Sequence, residues 1–243
     1  MARARLGTRS RSISRANKAG IVVVALFAVA VFVMSRGGER SDRPDVVVVG
    51  DSFAEQSADQ FLALARADGY RAEVFAYGGS SICSWEPQLA DLVERKPRIL
   101  VLSFAGNDLH PCINPDKVQG REPSEVADLY RDQLDAVVRQ FHDARSKVYV
   151  VGPPPVKDPA FEAYAAAMRQ MYAEYVADHP DVTAVETFDL LGPDREYHKS
   201  LPCEEGEPCR SDGTVVLRQD DDIHLTPEGG KRYAEMVVDA IES

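Results

Sequence analysis

Close to the end of a 243-residue chain, Asp221-Asp222-Ile223-His224 places a carboxylate three residues before a histidine. Far upstream, Gly50-Asp51-Ser52 follows the apolar run Val46-Val47-Val48-Val49. A serine hydroxyl is a weak nucleophile until a base takes its proton, and an imidazole serves best when a carboxylate fixes its tautomer. Ser52, His224 and Asp221 are therefore the residue types for attack on a carbonyl, provided the fold closes the gap between them. Alone, a D-x-x-H segment is weak, since chance supplies many.

Two more polar blocks lie between these ends, Gly78-Gly79-Ser80-Ser81 and Gly106-Asn107-Asp108. Singly, each block reads as a tight turn built from the usual turn residues. Their placement argues for more. Strands are expected at 46–49, 72–76, 99–104, 148–151 and 182–185, most of them β-branched runs of the length buried on both faces. Helices are expected at 54–67, 87–95, 124–144, 160–177 and 227–241, with Thr226 as N-cap and Pro227 opening the last. Leu129, Leu134, Val137, Val138 and Phe141 recur at helical spacing, as a helix covering a sheet requires. This alternation predicts a parallel α/β sheet, whose ligands bind at the carboxyl ends of its strands. All the polar blocks fall at those ends. Residues 191–219, rich in Gly, Pro and acidic residues, read as an irregular surface excursion bordering the site.

In these blocks the chain resembles the SGNH (GDSL-type) hydrolases. Gly50-Asp51-Ser52 matches the family's G-D-S block, Gly106-Asn107-Asp108 approximates its G-x-N-D, and Asp221 to His224 matches its D-x-x-H, in an order spanning residues 46–241. The resemblance implies a flavodoxin-like three-layer α/β/α sandwich with a five-stranded parallel sheet. It also implies a Ser52–His224–Asp221 triad and an oxyanion hole formed by Ser52, Gly79 and Asn107. The second block is loose, so Ser81 competes with Gly79 as backbone donor. The family often has Gly where this chain has Asp222, which is expected to be a solvated neighbour of the triad. The implied activity is a serine esterase working through an acyl-enzyme on a small acyl ester of an envelope glycan or lipid. The alternatives are an O-acyltransferase passing the acyl group to a sugar hydroxyl, and a catalytically silent envelope-binding domain. No metal or cofactor is called for, and no long apolar lid is evident.

Among other residues, His110 is a candidate to line the pocket, whereas His142 and His179 are expected at the surface and His198 in the excursion. Trp85 suits either a wall of the site or the core.

Charge divides the chain. Residues 1–40 hold eight Lys/Arg against one Glu, and the rest holds 20 Lys/Arg against 38 Asp/Glu. An acidic domain of this kind is ill suited to nucleic-acid phosphates. The basic segment 1–18 precedes an apolar run at 19–35, then a short linker to residue 45 and the domain at 46–243. The run is short for a bilayer span but lacks a cleavage site just beyond it, so an uncleaved signal anchor is favoured over a cleaved signal peptide. The positive-inside rule then keeps 1–18 cytoplasmic and exports the domain. Four cysteines agree with an oxidising compartment. Cys203 and Cys209 enclose five residues with Gly and Pro, favouring a local disulfide, which leaves Cys83 to pair with Cys112. A metal site is the weaker reading, since no C-x-x-C occurs and no histidine clusters with these cysteines in sequence.

Overall fold

Val46–Gly50 (β1) is buried along its whole length, as an uninterrupted apolar run requires when helices cover both faces of a sheet. The structure, a computed structural model, describes residues 44–108, 110–115 and 121–243. The expected signal anchor at 19–35 lies outside the described residues. Among the described residues, no helix is long and apolar enough to cross a membrane.

β1 pairs in parallel with Ala72–Ala76 (β2) on one side and Ile99–Ser103 (β3) on the other. Lys147–Val151 (β4) and Val182–Val185 (β5) extend the sheet, giving the order β2-β1-β3-β4-β5 with every pair parallel. This five-stranded parallel sheet with helices on both faces is the expected architecture. β1 lies between the strands that follow it, so its carboxyl end opens a crevice beside that of β3.

Side-chain alternation sorts the two faces. Val46, Val48, Ile99 and Val101 pack with Phe53 and Phe61 of Ser52–Ala67 (α1), and with Tyr233, Val237 and Ile241 of Pro227–Glu242, the C-terminal helix. Val47, Val49, Leu100 and Leu102 face the opposite layer. That layer is made by Glu86–Arg95 (α2), Pro123–Asp143 (α3) and Pro159–Asp178 (α4). A short helix, Phe188–Leu191 (α5), follows β5; the C-terminal helix is then α6. The Thr226 hydroxyl accepts from Gly229 N–H at 3.1 Å, the expected N-cap, and donates to Val216 O at 2.7 Å.

The segment 191–219 is not the irregular loop expected. Ser200–Pro202 (β6) and Thr214–Val216 (β7) pair antiparallel, and a Cys203–Cys209 disulfide closes their tip. Arg232 of α6 holds that tip in a bidentate pair with Glu207, at 2.8 and 2.7 Å, both side chains almost fully buried. Strands of three residues, one carrying a proline, lie below what alternation can signal.

Candidate active site

Helix α1 begins at Ser52 itself, two residues earlier than expected, because Asp51 caps it: Asp51 Oδ1 accepts Phe53 N–H at 3.2 Å. Ser52 is thus the first residue of a helix directly after a central strand. Its own N–H has no acceptor inside the helix and sits at the positive end of the dipole. Gly50 is required sterically, since a Cβ there would lie 2.6 Å from both Ala54 Cβ and Ser103 O.

Asp51 is wholly buried, and its second oxygen accepts Ala105 N–H at 2.8 Å and Asn107 Nδ2 at 3.0 Å. One carboxylate therefore ties the start of α1 to the loop after β3. Burial pushes the Asp51 carboxyl up to about 6, against the lowering effect of these donors and of His224. Asn107 Nδ2 also donates to Ser80 O at 3.0 Å, so its amide already serves two acceptors. Ser80 in turn donates to Gly50 O at 2.8 Å and accepts from Trp85 Nε1 at 3.1 Å. Trp85 is a core residue that braces this loop.

Gly79 has φ +75°, a left-handed conformation that glycine adopts without cost, and no described residue accepts its N–H. Ser81 is buried, and its N–H donates to Ser84 Oγ at 2.8 Å. Of the two residues considered as backbone donor, Gly79 is the one open to a ligand.

At the other end of the chain, His224 Nδ1 lies 2.6 Å from Asp221 Oδ2, while Asp221 Oδ1 accepts the N–H groups of Ile223 and His224 at 3.0 and 2.9 Å. Burial works to raise the Asp221 carboxyl, but the His224 ring and these two N–H groups outweigh it and hold it below its ordinary value. The imidazole thus has one nitrogen fixed by a carboxylate and the other free to face the cleft. Gln56 of α1 carries the segment to the serine: its Oε1 accepts Leu225 N–H at 2.7 Å.

Ser52, Gly79, Asn107 and His224 line one cleft of about 460 Å³. Phe161, Tyr164 and Ala165 of α4, with Val156 and Ile223, form its apolar wall, and Asp108 and His110 its polar side. Ser52 and His224 line the same cleft with no hydrogen bond between their side chains; a bond of this kind often tightens only as the substrate is bound. His110, a candidate to line the pocket, does line it. The bracing roles of Ser80 and Gln56 leave no trace in the sequence; for Asp51 the one available signal is an aspartate just before a helix, that of an N-cap.

Cys83 and Cys112 form a disulfide that joins the loop after β2 to the loop after β3. A histidine does cluster with them, contrary to the reading from spacing: His110 Nδ1 lies 2.9 Å from Cys112 Sγ. Bonded to each other, the sulfurs are not thiolate ligands. Asp222 also departs from expectation. It is not a solvated neighbour, because its carboxylate meets Lys157 Nζ and Tyr197 OH at 2.7 Å each and Lys199 Nζ at 3.2 Å. These partners, Lys157 foremost, hold its carboxyl well below the usual range.

A serine after the first strand, a carboxylate–histidine pair before the last helix and a 2-1-3-4-5 parallel sheet are the arrangement of the SGNH (GDSL-type) hydrolase fold. Solved structures agree. An acetyl-xylooligosaccharide esterase from Geobacillus stearmophilus superposes with a TM-score of 0.58 at 13% identity, covering 82% of this chain and 94% of that one. A GDSL-like lipase from Bacteroides thetaiotaomicron gives 0.54 at 14%, covering 88% and 95%. A member of the lipolytic G-D-S-L family from Veillonella parvula gives 0.55 at 11%, covering 81% and 97%. No curated protein matches the sequence. The chain belongs to the family described as "Protein of unknown function (DUF459)", which matches residues 45–240.

Proposed function

We propose that the protein is a serine esterase that hydrolyses an acyl ester through an acyl-enzyme on Ser52. The observation that carries this reading is the 2.6 Å Asp221–His224 pair opening onto the same cleft as Ser52 and Gly79. His224 Nε2 takes the Ser52 hydroxyl proton as Oγ attacks the ester carbonyl, and Asp221 stabilises the imidazolium. The proton then passes to the departing alcohol. Water, deprotonated by the same nitrogen, releases the acid and restores the serine.

The N–H groups of Ser52 and Gly79 receive the oxyanion. Asn107 joins them by sharing or exchanging one of its two present acceptors. Losing one such donor costs roughly 10²- to 10³-fold in kcat. No step calls for a metal or an organic cofactor.

The substrate is an acyl ester of an envelope glycan or lipid, its acyl group against the Val156–Phe161 side and its alcohol toward His110. The esterase named among the similar structures acts on an acylated oligosaccharide, which favours the glycan. A sugar hydroxyl replacing water in the second step makes the same site an O-acyltransferase. We propose further that the domain lies outside the cytoplasm, anchored by the segment at 19–35; the two disulfides are what supports an oxidising compartment.

The test is labelling by a fluorophosphonate probe alongside hydrolysis of a short-chain aryl ester. Wild type should label and hydrolyse, and Ser52→Ala should do neither. An unlabelled wild type, or equal labelling of the variant, rejects the esterase.

A further inference from the structure

Asp222 sits in the segment that carries the proposed acid–base pair, yet its carboxylate points away from that pair and into a built network. Its φ of +59° is one that a non-glycine residue seldom adopts, and the surroundings must hold it there. They do so from two directions. Lys157 belongs to the β4–α4 connection, one residue beyond Val156 in the cleft wall, and its Nζ lies 2.7 Å from Asp222 Oδ2. Its backbone N–H also points at Asp222 O, at 3.4 Å. Tyr197 and Lys199 come from the excursion before β6, at 2.7 and 3.2 Å from Asp222 Oδ1. Only 19% of the Asp222 side chain is exposed.

The turn around it is closed as well. Asp222 N–H donates to Gln219 O at 3.1 Å, and Gln219 N–H donates to His224 O at 2.8 Å. Arg218, completely buried, donates to Pro155 O at 3.0 Å and to Ile223 O at 3.4 Å. The 218–225 turn is therefore lashed to the β4–α4 connection through both a side-chain carboxylate and a buried guanidinium. Through Asp222 it is lashed to the excursion too. The excursion is itself pinned at its far end, where Glu207 pairs with Arg232.

We infer that Asp222 is a positioning residue, and that the 191–219 excursion serves the active site by fixing, through Tyr197 and Lys199, where the His224 ring stands relative to Ser52. The inference rests on the esterase reading for its kinetic consequence, though not for its structural one. An imidazole free to swing on its turn would still pair with Asp221, because that pair moves as a unit. What the clamp supplies is the distance between the unit and the nucleophile. Displacement of about an ångström there costs up to 10²-fold in rate with substrate binding unaffected.

Asp222→Gly is the diagnostic substitution. Glycine takes φ +59° freely, so the backbone is relieved while the clamp is removed. With a short-chain aryl ester, kcat should fall about 10- to 100-fold while KM stays within about twofold. Asp222→Asn, which keeps an acceptor for Tyr197 and tolerates the left-handed region, should fall between wild type and glycine. Lys157→Met should lower kcat alone but add nothing in the Asp222→Gly background, since both remove one tether. Amide hydrogen exchange across 219–225 should quicken in Asp222→Gly and stay unchanged in β1 and β3. Wild-type kcat in Asp222→Gly, or a loss confined to KM, overturns the inference, as does unchanged exchange in the turn. Failure of the esterase reading is separately visible as Ser52-independent labelling, and the exchange measurement decides the clamp even then.

Discussion

Two aspartates bracket the chemistry, and their charges are set in opposite ways. Asp221 is held ionised by its histidine and two backbone donors. Replacing it with Asn removes the group that fixes the imidazole tautomer, and kcat for ester hydrolysis should drop by roughly 10⁴. Asp51 is instead pushed up by burial to about 6. A carboxyl raised in the folded state lends stability that is complete below the unfolded value near 3.8 and is lost as pH rises through about 6. The swing for this one group is of order 3 kcal/mol. Urea unfolding from pH 4 to 7 should therefore show wild type losing stability relative to Asp51→Ser as pH rises, and a constant difference would refute the assignment. Asp221 and Asp51 also differ in legibility. The first was readable because a three-residue offset to a histidine is a pattern in one dimension. The second earns its place through Ala105 and Asn107, which no local spacing brings near it.

The five strands and the five helices expected from the sequence stand where apolar runs and caps put them, within two residues at every end. Periodicity reports burial, and most of these elements bury a face; β2, at the sheet edge, is partly buried throughout and was legible from its apolar residues alone. The β6–β7 hairpin escaped the same reading because its order comes from a disulfide and from one ion pair to α6, neither of which leaves a periodic trace. Glu207→Ala would leave Arg232 buried without its anion. Breaking such a pair costs about 3–5 kcal/mol, to be measured by chemical denaturation. The second disulfide works between elements rather than within one. Replacing Cys83 and Cys112 together with Ser should leave the fold standing on its core but let the Gly79 and Asn107 loops move independently. The expected result is reduced kcat and broadened amide resonances in both loops; unchanged kcat would limit the bridge to a stabilising role.

Over the whole molecule, two large hydrophobic side chains are conspicuously exposed among the described residues, Phe161 at 57% and Tyr77 at 39%. Phe161 lines the cleft, and the Tyr77 hydroxyl lies 3.5 Å from Nε2 of His110, which lines it as well. Apolar rings left bare beside the proposed nucleophile are suited to be covered by substrate. Phe161→Ala should lower kcat/KM for butyryl esters more than for acetyl esters, because each methylene it covers is worth about 0.8 kcal/mol. Equal losses would move the acyl group elsewhere in the cleft.

The packing of α1 against α6 has a consequence for how the site is assembled. A Cβ on Gly230 of α6 would lie 2.6 Å from Gln56 O of α1, so the two backbones meet almost directly. Ser52 opens α1 and His224 stands just before α6, far apart along the chain. Until those two helices close on each other the hydroxyl has no imidazole beside it, so the proposed triad is a product of folding and resides in neither segment alone.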